Sequence, residues 1–224
     1  MFIDKSMTRD VVTVGPETGI LAAQTLMAQN RIRHLPVVVG DDILVGIVTD
    51  RDIRSAMPST VLCEAEKATE ERRLAVMKVK DIMTANPVTV SPAQTLEDAL
   101  LMMQNLKVGA FPVVDPDGKL KGIISMRDLT RAFVNVLGLQ EPGALIGIVV
   151  ENKQGQIKKI VDAITEQGVS FGSILVYPMW DEGKRAVFPY LLTSNISKVK
   201  NHLRELGFAL LDPMDWYLDQ LPKR

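Results

Sequence analysis

Gly46-Ile47-Val48-Thr49-Asp50-Arg51-Asp52 and Gly122-Ile123-Ile124-Ser125-Met126-Arg127-Asp128 are two copies of one short stretch. Each runs from a glycine through two β-branched apolar residues to a hydroxyl, with an aspartate three residues after the hydroxyl. The pattern predicts an apolar strand that closes on a turn and leads into a helix. Two readings stay open. A hydroxyl and an acid at this spacing make a capping-box pattern, which starts a helix. The same carboxylate can accept both hydroxyls of a ribose, while the hydroxyl donates to a phosphate near the helix N-terminus.

The duplication extends beyond these residues. Shifting the chain by 76 positions brings Met7-Thr8 onto Met83-Thr84, Val12-Thr13-Val14 onto Val88-Thr89-Val90, and Pro36-Val37-Val38 onto Pro112-Val113-Val114. Pro16 falls on Pro92 and Met27 on Met103 in the same register. Such an internal repeat governs the fold assignment. In each copy a short strand is expected at Val11 to Val14 or its equivalent. A helix follows, with Ile20, Ala23, Leu26 and Met27 on one face, matched by Leu96, Ala99, Leu100 and Met103. A hairpin then joins Leu35–Val39 to Leu44–Val48 through Gly40-Asp41-Asp42. In the second copy the turn is Asp115-Pro116-Asp117-Gly118. A closing helix starts near Arg51 or Arg127. A unit of about 50 to 60 residues has a marginal core alone, so the two are expected to pack together.

After Gln140-Glu141-Pro142-Gly143, a breaker, the pattern changes. A β-rich run at Leu145–Val150 leads to a helix opened by Gly155 and closed by Gly168. A strand at Ser173–Val176 is limited by Pro178, and one at Ala186–Thr193 carries Pro189, which suggests an edge or a bulge. A helix with Ile196, Val199, Leu203 and Leu206, then a strand at Phe208–Leu211, complete a β-α-β-β-α-β order, the ferredoxin-like arrangement. The fold class is therefore mixed α+β and α/β. The expected divisions are 1–60 and 81–138 for the repeats, 61–80 for a charged connector, 143–212 for the third unit and 213–224 for a tail offering Trp216, Tyr217 and Leu218 for packing.

Of the 224 residues 46% are hydrophobic and 24% charged, and the net charge is -1. No basic excess points to nucleic acid. The longest apolar runs are strand-sized and the N-terminal residues lack a signal-peptide core, so no membrane partner is expected. Cys63, the single cysteine, favours a reducing, cytoplasmic setting. His34 and His202 are the only histidines and lie far apart, so metal-ligand spacing is absent. No nucleophile–base pair can be assembled, and an enzyme is not expected.

The repeats resemble a tandem pair of CBS domains, a Bateman module, over residues 1 to 137. The resemblance is carried by Asp81-Ile82-Met83-Thr84, the Thr-Val-x-Pro element, Arg33-His34-Leu35-Pro36-Val37-Val38 and the doubled Gly-x-x-Thr/Ser-x-x-Asp. The third unit resembles an ACT domain, through its topology and Gly155, and the combined order resembles acetoin-utilisation B-type proteins. The CBS resemblance implies an adenosyl effector (AMP, ADP, ATP or S-adenosylmethionine) in clefts between the repeats, and no cofactor. The ACT resemblance implies an amino-acid effector. Both imply a regulatory homodimer, with a ligand-free module that docks a partner enzyme as the alternative. The nucleotide-binding candidates are Arg33, His34, Ile47, Thr49, Arg51 and Asp52 from the first copy. The second copy offers Gly109, Ala110, Ile123, Ser125, Arg127 and Asp128. Asn152, Gln154 and Gly155 are the amino-acid candidates. Because Gly109-Ala110, after Val108, stands where the first copy has Arg33-His34, the two nucleotide sites are expected to differ, with phosphate held mainly by the first repeat.

Overall fold

A computed structural model describes residues 1–57, 69 and 72–211. Cys63, much of the charged connector and the tail with Trp216, Tyr217 and Leu218 lie outside the described residues. The chain divides into two compact units, Met1–Thr130 and Arg131–Arg224.

In the first unit each repeat forms an antiparallel hairpin with a helix on either side of it in sequence. The first contributes α1 (Ile20–Asn30), β1 (His34–Val39), β2 (Ile43–Thr49) and α2 (Asp50–Ala56). A short strand β3 (Thr84–Ala85) follows. The second repeat supplies α3 (Leu96–Leu106), β4 (Ala110–Val114), β5 (Leu120–Ser125) and the start of α4 (Met126–Val136), a helix that begins in the first unit and ends in the second. The expected helical stripes are buried at Ile20, Ala23 and Met27 on α1 and at Leu96, Ala99 and Met103 on α3, while Leu26 and Leu100 are half-buried. The repeats agree in detail. Both hairpins shift register at the same place, Val37/Val38 and Val113/Val114. Both first helices end on a left-handed residue that is not glycine, Arg31 and Lys107, each with φ of 54°.

The expected strand at Val11–Val14 is not formed. Only Val14 bridges β1: its N–H donates to Pro36 O and its carbonyl accepts from Val38 N–H. Extending the parallel ladder to Val12 would require an N–H from Pro36, which proline lacks. Pro112 stops the pairing at Val90 and Val113 in the same way.

The repeats exchange their leading segments. Ile3 N–H and Asp4 N–H donate to Gln94 O and Pro92 O of the second repeat, and Thr8 bridges Ile123. Reciprocally, Val79 N–H and Lys80 N–H donate to Thr18 O and Pro16 O of the first repeat, and β3 pairs with Gly46 and Ile47 of β2. Each sheet is therefore finished by the other repeat's leading residues, which satisfies backbone groups along the hairpin's outer strand. The hairpin turns also meet: Leu44 N–H donates to Gly118 O and Leu120 N–H to Asp42 O.

The second unit runs β6 (Ala144–Leu145), β7 (Gly147–Glu151), α5 (Gln156–Thr165), β8 (Phe171–Asp181), β9 (Lys184–Leu191), α6 (Ser197–Glu205) and β10 (Ala209–Leu211). All its pairings are antiparallel: β10 on β7, β7 and β6 on one side of β9, β8 on the other. The helices cover one face, where Ile148, Val187 and Leu191 pack with Ile160, Ile164, Val199 and Leu203. Two proline expectations need correction. Strand β8 continues past Pro178 to Asp181, because the register with β9 breaks between Tyr177 and Asp181 and demands no N–H there. Pro189 lies on an interior strand, not an edge. It accepts from Ile146 N–H at 3.1 Å but cannot donate back, and the ladder divides into β6 and β7 at that point.

Candidate functional site

The doubled stretch does form a strand end followed by a helix. Thr49 is extended (φ -113°, ψ 160°) and caps α2. Its N–H donates to Asp52 Oδ2 at 2.8 Å, its hydroxyl donates to the same oxygen at 2.7 Å, and Asp52 N–H donates to Thr49 Oγ1 at 3.2 Å. This is a complete capping box. Ser125 and Asp128 repeat it at 3.0, 2.6 and 3.4 Å.

The capping geometry corrects one expected role. A hydroxyl carries a single proton, and both Thr49 and Ser125 give theirs to the aspartate, so neither donates to a phosphate in this conformation. Nor does the start of α2 offer an anion site. The helix has seven residues, its first turn holds Asp50 and Asp52, and Asp52 N–H is already taken. What the box leaves open is the other oxygen of Asp52, Oδ1, which has no hydrogen-bond partner among the described residues.

A cavity of about 620 Å3 opens beside Asp52, between the repeats of the first unit. Its size suits a small-molecule site. The first repeat contributes Arg33, His34, Ile47, Thr49, Asp50, Arg51, Asp52 and Arg54. The second contributes Leu106, Lys107, Val108, Gly109, Ala110, Phe111 and Pro112, together with Thr84, Pro87 and Val88. The structure thus joins Gly109 and Ala110 to the first-copy candidates. Ile123, Ser125, Arg127 and Asp128 do not line this cavity: Ile123 pairs with Thr8, Arg127 is exposed, and Asp128 is buried beneath its cap. Arg31 is also outside the lining.

The cavity has distinct walls. Val88, Leu106 and Val108 leave apolar surface exposed along it, and Ile47, Ala110 and Phe111 continue that surface inward. The charged wall holds Arg33, Arg51, Arg54 and Lys107 against Asp50 and Asp52. Arg54 pairs with Asp50 at 2.6 Å. Arg33, Arg51 and Lys107 have no ion-pair partner among the described residues. His34 stands against the second repeat, where a Cβ built on Gly109 would lie 3.4 Å from its Nε2. Burial pushes the His34 imidazole below its usual pKa, the neighbouring Arg33 guanidinium pushes the same way, and Asp52 opposes them. The ring is therefore neutral at pH 7.

Lys107 and the apolar residues around it were not among the sequence candidates. The signal for Lys107 is its place one repeat on from Arg31, at a left-handed helix end that aims the chain back toward β4. The reciprocal packing that brings residues 106–112 opposite 33–34 has no local signature.

In the second unit Asn152, Gln154 and Gly155 lie together in the exposed β7–α5 loop. Asn152 N–H donates to Gly183 O of the β8–β9 turn at 2.8 Å, and Gly155, with φ of 84°, caps α5 in a conformation that favours glycine. Among the described residues no group of three or more His, Cys, Asp or Glu could hold a metal, and no helix is long and apolar enough to cross a membrane.

Comparison with known proteins agrees with the doubled architecture. The CBS domain model matches residues 3–59 and again 79–135. A CBS domain-containing protein of Dictyostelium discoideum is 34% identical over 137 residues, covering 61% of this chain and 94% of that protein. The inosine-5'-monophosphate dehydrogenase of Korarchaeum cryptofilum is 39% identical over 121 residues, but this chain spans only 22% of that enzyme's length. Among solved structures, CBSX2 in complex with AMP is 29% identical with a TM-score of 0.50, covering 59% of this chain and 96% of that one. An acetoin utilization protein assigned in Vibrio cholerae is also 29% identical, with a TM-score of 0.52, covering 63% and 98%. Matched twice, at the two copies of its own repeat, the chain belongs to the CBS domain family, as a tandem pair.

Proposed function

We propose that this protein is a cytoplasmic regulator, not a catalyst, that senses an adenine nucleotide (AMP, ADP or ATP) or S-adenosylmethionine in the cavity between its repeats. The observation that carries the reading is the open Oδ1 of Asp52, set between an apolar wall and unpaired cations. A ribose diol on that oxygen would direct the base toward Ile47, Val88 and Val108, and the phosphate toward Arg33 and Arg51. The AMP complex of the similar CBSX2 supports this choice of ligand. The second-copy residues Ile123, Ser125, Arg127 and Asp128 form a weaker or differently selective site. Ligand shifts the packing of the repeats because it binds one arrangement more tightly.

The second unit is read as an ACT-like, ferredoxin-like effector domain, with Asn152, Gln154 and Gly155 as an amino-acid site. Its strand–helix order and antiparallel pairing support this. A homodimer is read from the outer edge of β8, where Leu175, Tyr177 and Met179 are exposed and no charge interrupts residues 171–180. The alternative is a ligand-free module that docks a partner enzyme. It is favoured by the aspartates already being engaged in caps, and by matches to segments of much longer enzymes.

Calorimetric titration with AMP, ATP and S-adenosylmethionine tests the sensor reading. Saturable binding by at least one is expected. Silence from all three at millimolar concentration leaves the docking module.

A further inference from the structure

We infer that the cavity selects anionic adenosine phosphates and rejects S-adenosylmethionine. This rests on the adenosyl reading and narrows it to one ligand class. Beyond the adenosine that all these ligands share, the two classes differ in charge. AMP and ATP carry phosphate anions, whereas S-adenosylmethionine carries a sulfonium and an ammonium against one carboxylate. The wall that would meet this variable part is cationic.

Arg33 precedes β1, Arg51 is in the first turn of α2, and Lys107 ends α3, so the three charges converge from three elements and from both repeats. None has an ion-pair partner among the described residues, and the fourth cation, Arg54, is already neutralised by Asp50. A phosphate would complete this set, with guanidinium donors suited to its oxygens. A sulfonium is favoured by a carboxylate or an aromatic face and disfavoured by neighbouring cations. Of the two lining acids, Asp50 holds Arg54, and Asp52 has only Oδ1 to offer, which the ribose would occupy. Of the two aromatic rings in the lining, Phe111 is buried to 1% exposure, and the His34 imidazole lies against Gly109. With the α2 N-terminus closed by its own acids, side-chain cations alone read the anion. Selection then depends on those side chains and on salt.

The test titrates the full chain with AMP, ATP and S-adenosylmethionine at two salt concentrations, using wild type, Arg51→Gln and Lys107→Met. Both side chains are exposed, and thermal melts check that each variant is folded. The inference expects AMP and ATP to bind at least about tenfold more tightly than S-adenosylmethionine. It expects each substitution and added salt to weaken the phosphates while leaving S-adenosylmethionine unchanged or improved. S-adenosylmethionine binding as tightly as AMP, or equal weakening of both classes by the substitutions, overturns the selection and leaves the adenosyl site standing. No binding by any of the three overturns both.

Discussion

The His34 imidazole of the first repeat lies against Gly109 of the second, close enough that a Cβ at 109 would stand 3.4 Å from Nε2 and 3.5 Å from Cε1. The gap admits a methyl group but little more. Gly109→Ala should therefore fold and bind ligand much as wild type does, whereas Gly109→Leu should fill the cavity. Titration with AMP is expected to show about a tenfold or greater loss for leucine alone, with the melting temperature of the alanine variant nearly unchanged.

Asp52 has two roles that separate by chemistry. Asp52→Ala removes a capping partner and should cost about 1 kcal/mol of stability, together with ligand affinity. Asp52→Asn keeps an acceptor for Thr49 and should retain most of the stability while still losing affinity. Asp98 makes the same box with Thr95 but does not line the cavity. Asp98→Ala should lower the melting temperature and leave AMP binding intact. Paired denaturation and titration curves for the three variants check this.

Gly122 and Gly46 occupy equivalent places under the exchanged segments, yet they should differ in tolerance. A Cβ on Gly46 would meet the flexible Met83 side chain at 2.5 Å and the Thr84 backbone oxygen only at 3.2 Å, while one on Gly122 would meet both Met7 Sδ and the backbone oxygen of Thr8 at 2.8 Å. A side chain can move aside where a paired backbone cannot. Gly122→Ala should cost about 1–3 kcal/mol and not be rescued by Met7→Ala. Gly46→Ala should be milder and rescued by Met83→Ala. Urea unfolding midpoints decide between these outcomes.

Glu17 ties the start of the first repeat to the exchanged segment of the second. Hydrogen bonds from Lys78 and then Lys80 hold its carboxyl at about 2, from an ordinary value of 4.5. A depressed carboxylate contributes stability that is complete above the unfolded value and is lost as pH falls through the folded one. The stability gap between wild type and Glu17→Gln should be present at pH 7, narrow between about 4.5 and 2, and shrink with salt because these groups are exposed. Unfolding midpoints across that range measure it.

Much of the first unit was legible because its signals are local and doubled. The offset copies predicted both hairpins, their turns and the helix starts, and the Thr/Ser-x-x-Asp spacing predicted the caps that formed. Pairing was less legible. Pro36 and Pro112 end parallel ladders from across the sheet, and Pro189 sits inside a sheet at a ladder break, so their effect depends on partners the local pattern does not name. The exchange of residues 3–8 with 79–85 between repeats is likewise long-range. The cavity also draws His34 from one copy and Gly109 from the other, a juxtaposition that no local pattern names. A phosphate-donating hydroxyl finds no support in this conformation, where the cap commits the Thr49 proton to Asp52.

The most direct test is calorimetric titration of AMP into wild type and Asp52→Asn. Saturable binding by wild type, weakened about tenfold or more in the variant, is the predicted result. No heat of binding up to millimolar AMP, or equal binding by the two proteins, would contradict an adenosine phosphate site built on Asp52.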